Sequence, residues 1–371
     1  MLSAVSWSGG AAGDWNVAGN WSGLSPGETA PGAADDVTIS GNVTVTHGSG
    51  SDQVHTLTLG TGATLDVNGG SAITLLLSSG TAVSNDGTIN LGDAAGTNSG
   101  ALFFNGNQTL GTTAGATGIV VLGGSSSDRL IQSFGGQTLT IGGGITIQGD
   151  DGGVGGAAST LVNQGTIDAD TSGGTINVAL GVNGSNSGTI KADSGGSLTV
   201  YGSSAGTWTN EAGASISIAG GGKLGIDNNP AAPWTNLGTI STTASTVNLN
   251  GAFTQAGLGT FSRDAASTVN LTGKLTGDVA LNASTGNWNL VGGELSTGAF
   301  SASGATLFAT GQGGTLNAET LDSPIDFSTN NGAAATVTGG LSLDNVTLNV
   351  GNAAGSSNAV LLFNGDQTLG T

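Results

Sequence analysis

The chain has 371 residues, with 24 acidic side chains against five basic ones and a formal net charge of −19. That balance disfavours nucleic acid and anionic membrane surfaces as partners, and the absence of cysteine rules out a disulfide framework. Charged residues are only 8% while hydrophobic ones reach 36%, and Val, Ile and Thr are abundant, so disorder is the weaker option.

Residues 1–40 differ from the rest. Trp7, Trp15 and Trp21 are interleaved with Gly9-Gly10, Gly13-Asp14 and Asn20, and Pro26, Pro31 and Asp35-Asp36-Val37-Thr38-Ile39 follow. No basic region or apolar run marks a signal peptide here. The three tryptophans are expected to cover the open end of a stacked fold, in preference to forming a sugar-stacking patch. Short alternating strands begin at Val43: Val43-Thr44-Val45-Thr46, Leu57-Thr58-Leu59, Leu65-Asp66-Val67 and Ile73-Thr74-Leu75, separated by Gly and Asn turns. The longest apolar runs, such as Ile73 to Leu77, are strand-sized, so no membrane insertion is expected of this segment.

Asn85-Asp86-Gly87-Thr88-Ile89 introduces a phrase that then recurs. It returns as Asn163-Gln164-Gly165-Thr166-Ile167, Asn186-Ser187-Gly188-Thr189-Ile190, the looser Asn210 to Ile216, and Asn236-Leu237-Gly238-Thr239-Ile240. The steps are 186−163 = 23, 210−186 = 24 and 236−210 = 26. A second strand phrase follows each copy, for example Gly173-Gly174-Thr175-Ile176-Asn177-Val178. A unit this short cannot bury its own apolar face, but stacked on its neighbours it can. The expected fold is therefore all-β, a right-handed parallel β-helix, with residues 41–371 forming one rod. Asn85, Asn163, Asn186, Asn210 and Asn236 are expected to form a structural amide ladder, with Gly165 and Gly188 supplying positive φ at the corners. Trp208 and Trp234 each open a Trp-Thr-Asn triplet, and 234−208 = 26 matches the Asn step, so they should stack in the core.

A longer repeat overlies the short one. Residues 92–112 return as 351–371, with 364−105 = 259 between Asn105 and Asn364. The rod is accordingly expected to be truncated within a longer repeat array.

The Asn-x-Gly-Thr-Ile, Gly-Gly-x-Leu-Thr-Val and Phe-Asn-Gly-x-Gln-Thr-Leu-Gly phrases resemble the β-strand repeats of very large bacterial surface proteins. These are similar to filamentous-haemagglutinin-like adhesins and autotransporter passengers, and the opening Trp7 to Ile39 segment looks like the start of such passengers. The resemblance covers nearly the whole chain. It implies a right-handed parallel β-helix at the bacterial cell surface or otherwise extracellular, acting as a stiff structural or adhesive module. The expected partners are surface glycans or other cell-surface proteins.

Residues able to carry chemistry are sparse. His47 and His55 flank Gly48-Ser49-Gly50-Ser51-Asp52 at a spacing that matches no metal signature. Asp150-Asp151 and Asp168/Asp170 leave Ca²⁺ as the one cofactor to consider, although no Gly-Gly-x-Gly-x-Asp run accompanies them. Thr56-Leu57-Thr58 and Thr138-Leu139-Thr140 are too isolated for an ice-binding array. No catalytic residue is assigned and no enzyme is expected. The alternative is a β-helical polysaccharide lyase or hydrolase, which would need carboxylates and a basic side chain gathered on one face.

Overall fold

In the computed structural model, residues 2–132, 135–227, 229 and 231–370 are described. The chain winds into a parallel β-solenoid of about 14 turns. A representative coil holds three strands, Thr160–Asn163, Thr166–Asp168 and Thr175–Gly181. The next holds Ser185–Asn186, Thr189–Ala192 and Ser197–Gly202. Each strand lies parallel on its counterpart, with Asn163 on Asn186, Ile167 on Ile190 and Ile176 on Leu198. Three faces result, called first, second and third in chain order within a coil. At about 4.8 Å per coil the rod is on the order of 70 Å long.

Alternation explains why these residues form these strands. In Thr166–Asp168 the threonine and aspartate face out and Ile167 is fully buried. Ile147, Ile167, Ile190, Ile216 and Ile240 stack in register as one interior column of the second face. Each is fully buried, a gain of about 1.5–3 kcal/mol per side chain over exposure. The core runs as one cluster from Val5 to Leu341.

The corner glycines of the Asn phrase have a different cause from the one expected. Neither Gly165 nor Gly188 has positive φ. What excludes a side chain is the coil beneath: a Cβ on Gly165 would lie 2.4 Å from the Ile145 carbonyl oxygen, and one on Gly188 2.1 Å from that of Gly165. The same holds at Gly238, 2.3 Å from the Ala214 oxygen. Close stacking of corners demands glycine there.

At the N-terminal end, strand pairing begins at Ser3, where Ser3–Trp7 lies parallel beneath Asp35–Ile39. The first 40 residues thus supply a coil as well as its cover. Trp21–Ser22 pairs antiparallel with that strand, and Trp21 meets both Trp7 and Trp15 edge-on at 5.1 and 5.0 Å. Trp15 is fully buried and Trp21 nearly so, with the Trp21 indole N–H donating to the Trp15 carbonyl at 2.7 Å. Trp15 and Trp21 thus lie in the core, and Trp7, partly buried, packs against it.

The two long-repeat copies fold alike locally. Gly96 and Gly355 both have φ of 68°, and Asp93 and Asn352 each use a side-chain oxygen to accept backbone N–H groups four residues on. Their surroundings differ: Phe104 is fully buried under the next coil, whereas Phe363 is 42% exposed. Thr371, the last residue of the second copy, lies outside the described residues.

Candidate functional site

Four of the five predicted ladder residues form one continuous chain of amides. Asn163 donates to Asn186 at 2.7 Å, Asn186 to Asn210 at 2.8 Å and Asn210 to Asn236 at 2.7 Å, always from Nδ2 to Oδ1. Asn236 ends the series by donating to the carbonyls of Leu258 and Thr260. All four are buried. Asn85 takes the same corner but stands apart, donating to the Ile119 carbonyl and accepting from the Gly87 N–H. In the two coils that precede Asn163 its register column holds Leu110 and Ile141, and neither has an amide to pass on.

Trp208 and Trp234 stack in the core at 5.7 Å and 16°, and Phe253 extends the stack at 4.7 Å. A second amide ladder, not foreseen, climbs the outside of the third face: Asn289 donates to Asn270 and Asn270 to Asn248, at 3.0 and 2.8 Å. Its signal was present in the repeated Thr-Val-Asn-Leu phrase.

The two histidines do not converge. His47, buried against Trp15, pairs with Asp52 at 2.9 Å, and His55 pairs with Asp36 at 2.7 Å. Asp168 is taken by Lys191, one coil above it in register, at 2.9 Å. That pairing too was readable, since 191−168 = 23 is the ladder step. Among the described residues no three His, Cys, Asp or Glu side chains are grouped as a metal ion would require.

A cleft of about 540 Å³ runs along the second face. It crosses five coils, through Asp66, Asn90, Val121, Gln148 and Asp170, and the turn at Gly92-Asp93-Ala94 forms one wall. Asp66, Asn90, Val121 and Gln148 are successive outward partners in the ladder. Asn90 donates to Asp66 at 2.6 Å. Asp93 is fixed by Thr97 and Asn98, whose hydrogen bonds hold its carboxyl down at about 2. Desolvation, followed by the charges of Asp151 and Asp170, raises the Asp150 carboxyl. No Lys or Arg is among the lining residues. Chemically this is a row of acceptors and amides suited to hydroxyl donors, and it repels anions.

Two of the buried carboxyls, Asp128 and Glu319, are raised by their surroundings. Asp128 accepts from the Gly100 N–H at 3.0 Å while its second oxygen has no partner, and burial raises it to about 6. Glu319 accepts from the Gly298 N–H at 3.3 Å, again with one oxygen unmatched, and burial, then Asp278, raises it to about 7. A raised folded-state value means that the native chain binds these protons more tightly than the unfolded chain. Their stabilisation is therefore complete below about pH 4 and is lost as pH rises through about 6 and 7. The urea midpoint should fall between pH 4 and 7, and Asp128→Asn with Glu319→Gln should flatten that fall. A double variant that keeps the full slope would remove the assignment. Asp93 and Asp264, lowered by hydrogen bonds from Thr97 and Ser267, act below this window.

Compared with protein-family models, curated proteins and solved structures, the chain matches none.

Proposed function

We propose that this chain is a structural and adhesive module of a large exported bacterial surface protein, a stiff stalk that carries a glycan-binding cleft. The observation that carries the reading is the continuous interior, one hydrophobic cluster from Val5 to Leu341, with one amide ladder buried at a corner and a second on the outer surface. Successive coils are joined by parallel backbone ladders on their faces, so bending the rod means breaking ladders on one side. The resemblance of its repeats to those of surface adhesins supports an extracellular or cell-surface setting. The cleft, with its hydroxyl-matching acceptors and amides, supports glycans as the partner class, with other cell-surface proteins as the second.

A glycan array is the test. Binding to neutral oligosaccharides that is lost in Gln148→Ala and Asp170→Ala is the expected result, and a blank array would leave the stalk alone. The raised Asp150 beside Asp151 and Asp170 favours one other reading, a polysaccharide hydrolase. New reducing ends from a polysaccharide panel, abolished by Asp150→Asn, would replace binding with catalysis. None is expected, because no Lys or Arg lines the cleft beside these carboxylates.

A further inference from the structure

We infer that the third face carries a subsite for a carboxylate-bearing sugar, held between Arg129 and Tyr201. The inference rests on the glycan-binding half of the proposed function and adds a second, chemically opposite site to the acidic cleft. Arg129 faces outward from one coil and is followed in register by Gly153 and Asn177 on the next two. In the neighbouring outward row, Gly155 is followed by Ala179 and then Tyr201. Across the two coils between arginine and tyrosine these rows hold only Gly153, Gly155, Ala179 and the Asn177 amide. The Arg129 side chain and the Tyr201 phenol border a space of about 160 Å³.

The floor is bare for reasons of geometry. Gly155 has φ of +82°, and a Cβ there would meet the Ala179 carbonyl oxygen at 2.2 Å. Over Gly153 a Cβ would come within 3.3 Å of Arg129 Cδ, so the arginine reaches across onto the next coil, where a side chain would otherwise stand. Arg129 uses Nη1 alone, donating to the carbonyls of Ser126 and Asp128. Its Nε and Nη2 have no protein partner among the described residues, and no carboxylate pairs with it. Lys191 and Lys274, by contrast, are each held by carboxylates.

Nε–H and Nη2–H form a side-on fork that matches the two oxygens of a carboxylate. The flat phenol opposite suits the C–H face of a pyranose, and the Asn177 amide can donate to or accept from its hydroxyls. The volume amounts to about five waters at about 30 Å³ each, which admits the carboxylate end and part of one ring, not a buried oligosaccharide. A hexuronate unit within a longer glycan meets all of these constraints.

The experiment is calorimetric titration, or saturation-transfer NMR, with methyl β-D-glucuronide and methyl β-D-glucoside at low salt. The glucuronide should bind about tenfold more tightly, the ratio expected of one charge-assisted bidentate contact. Arg129→Gln and Gly153→Val should each remove that advantage, the second without changing any charge, and Arg263→Gln should leave it intact. Thermal melts check that each variant folds, with Arg129→Lys standing in should the glutamine variant fail. Equal binding of the two sugars, no saturable binding, or an equal loss with Arg263→Gln would overturn the subsite. Neutral glycan hits that survive such a result would sink this site alone, whereas a blank array as well would take the glycan reading with it.

Discussion

Replacing Trp234 by alanine is expected to lower stability by about 3–5 kcal/mol, the range for emptying a large aromatic site in a core. Trp234 is 2% exposed and lies between Trp208 and Phe253, at 5.7 and 4.7 Å. Alanine leaves both rings without a stacking partner and the Asn250 carbonyl without its indole donor, now at 2.7 Å. The loss should be local before it is global, because a solenoid coil contacts only its neighbours. Hydrogen exchange should therefore accelerate first across the coils from Trp208 to Leu271, while the N-terminal coils keep their protection. Trp234→Phe restores the stack but not the N–H, and should cost about 1–2 kcal/mol. A Trp234→Ala midpoint no lower than that of Leu237→Ala, which alters a side chain 60% exposed, would remove the stack from the account.

The stacked tryptophans were legible because a repeat step in sequence equals one turn in space. Trp208, Asn210 and their partners 26 residues on share strands whose register is locked by the interior column. Features of a single coil were readable; features spread across coils of unequal length were harder to see. The cleft depends on the turn at Gly92-Asp93-Ala94 overhanging Gln148 and Asp170, which lie more than 50 residues away and at no fixed multiple of the coil. Asn85 carried the ladder phrase but not the ladder, because a phrase in one coil needs its counterpart in the very next one. The corner glycines were recognised for the wrong reason: positive φ belongs to a residue alone, whereas close approach to a carbonyl below exists only once coils are stacked.

Cutting the amide chain in its middle should be the second large effect. Asn210 accepts from Asn186 and donates to Asn236, and it is fully buried. Leucine at this position would strip the Asn236 oxygen of its donor and the Asn186 amide of its best acceptor, although Asn186 keeps a 3.2 Å bond to the Ser215 carbonyl. With about 1–3 kcal/mol for each buried polar group left unmatched, Asn210→Leu should cost about 2–5 kcal/mol in a urea melt. Asn210→Asp separates hydrogen-bond polarity from volume. The carboxylate can still accept from Asn186, but it turns a second acceptor towards the Asn236 oxygen, so the variant should be less stable than Asn210→Leu at neutral pH. Once protonated it can donate again, and its deficit relative to the wild type should shrink as pH falls, the direction expected of a buried carboxyl with a raised folded-state value. Asn85→Asp is the control, since its oxygen accepts from the Gly87 N–H and its lost donor bond goes to the Ile119 carbonyl. Its effect should stay within one corner. If Asn210→Asp were as stable as the wild type at pH 7, the one-way order of donors from Asn163 to Asn236 would have to be given up.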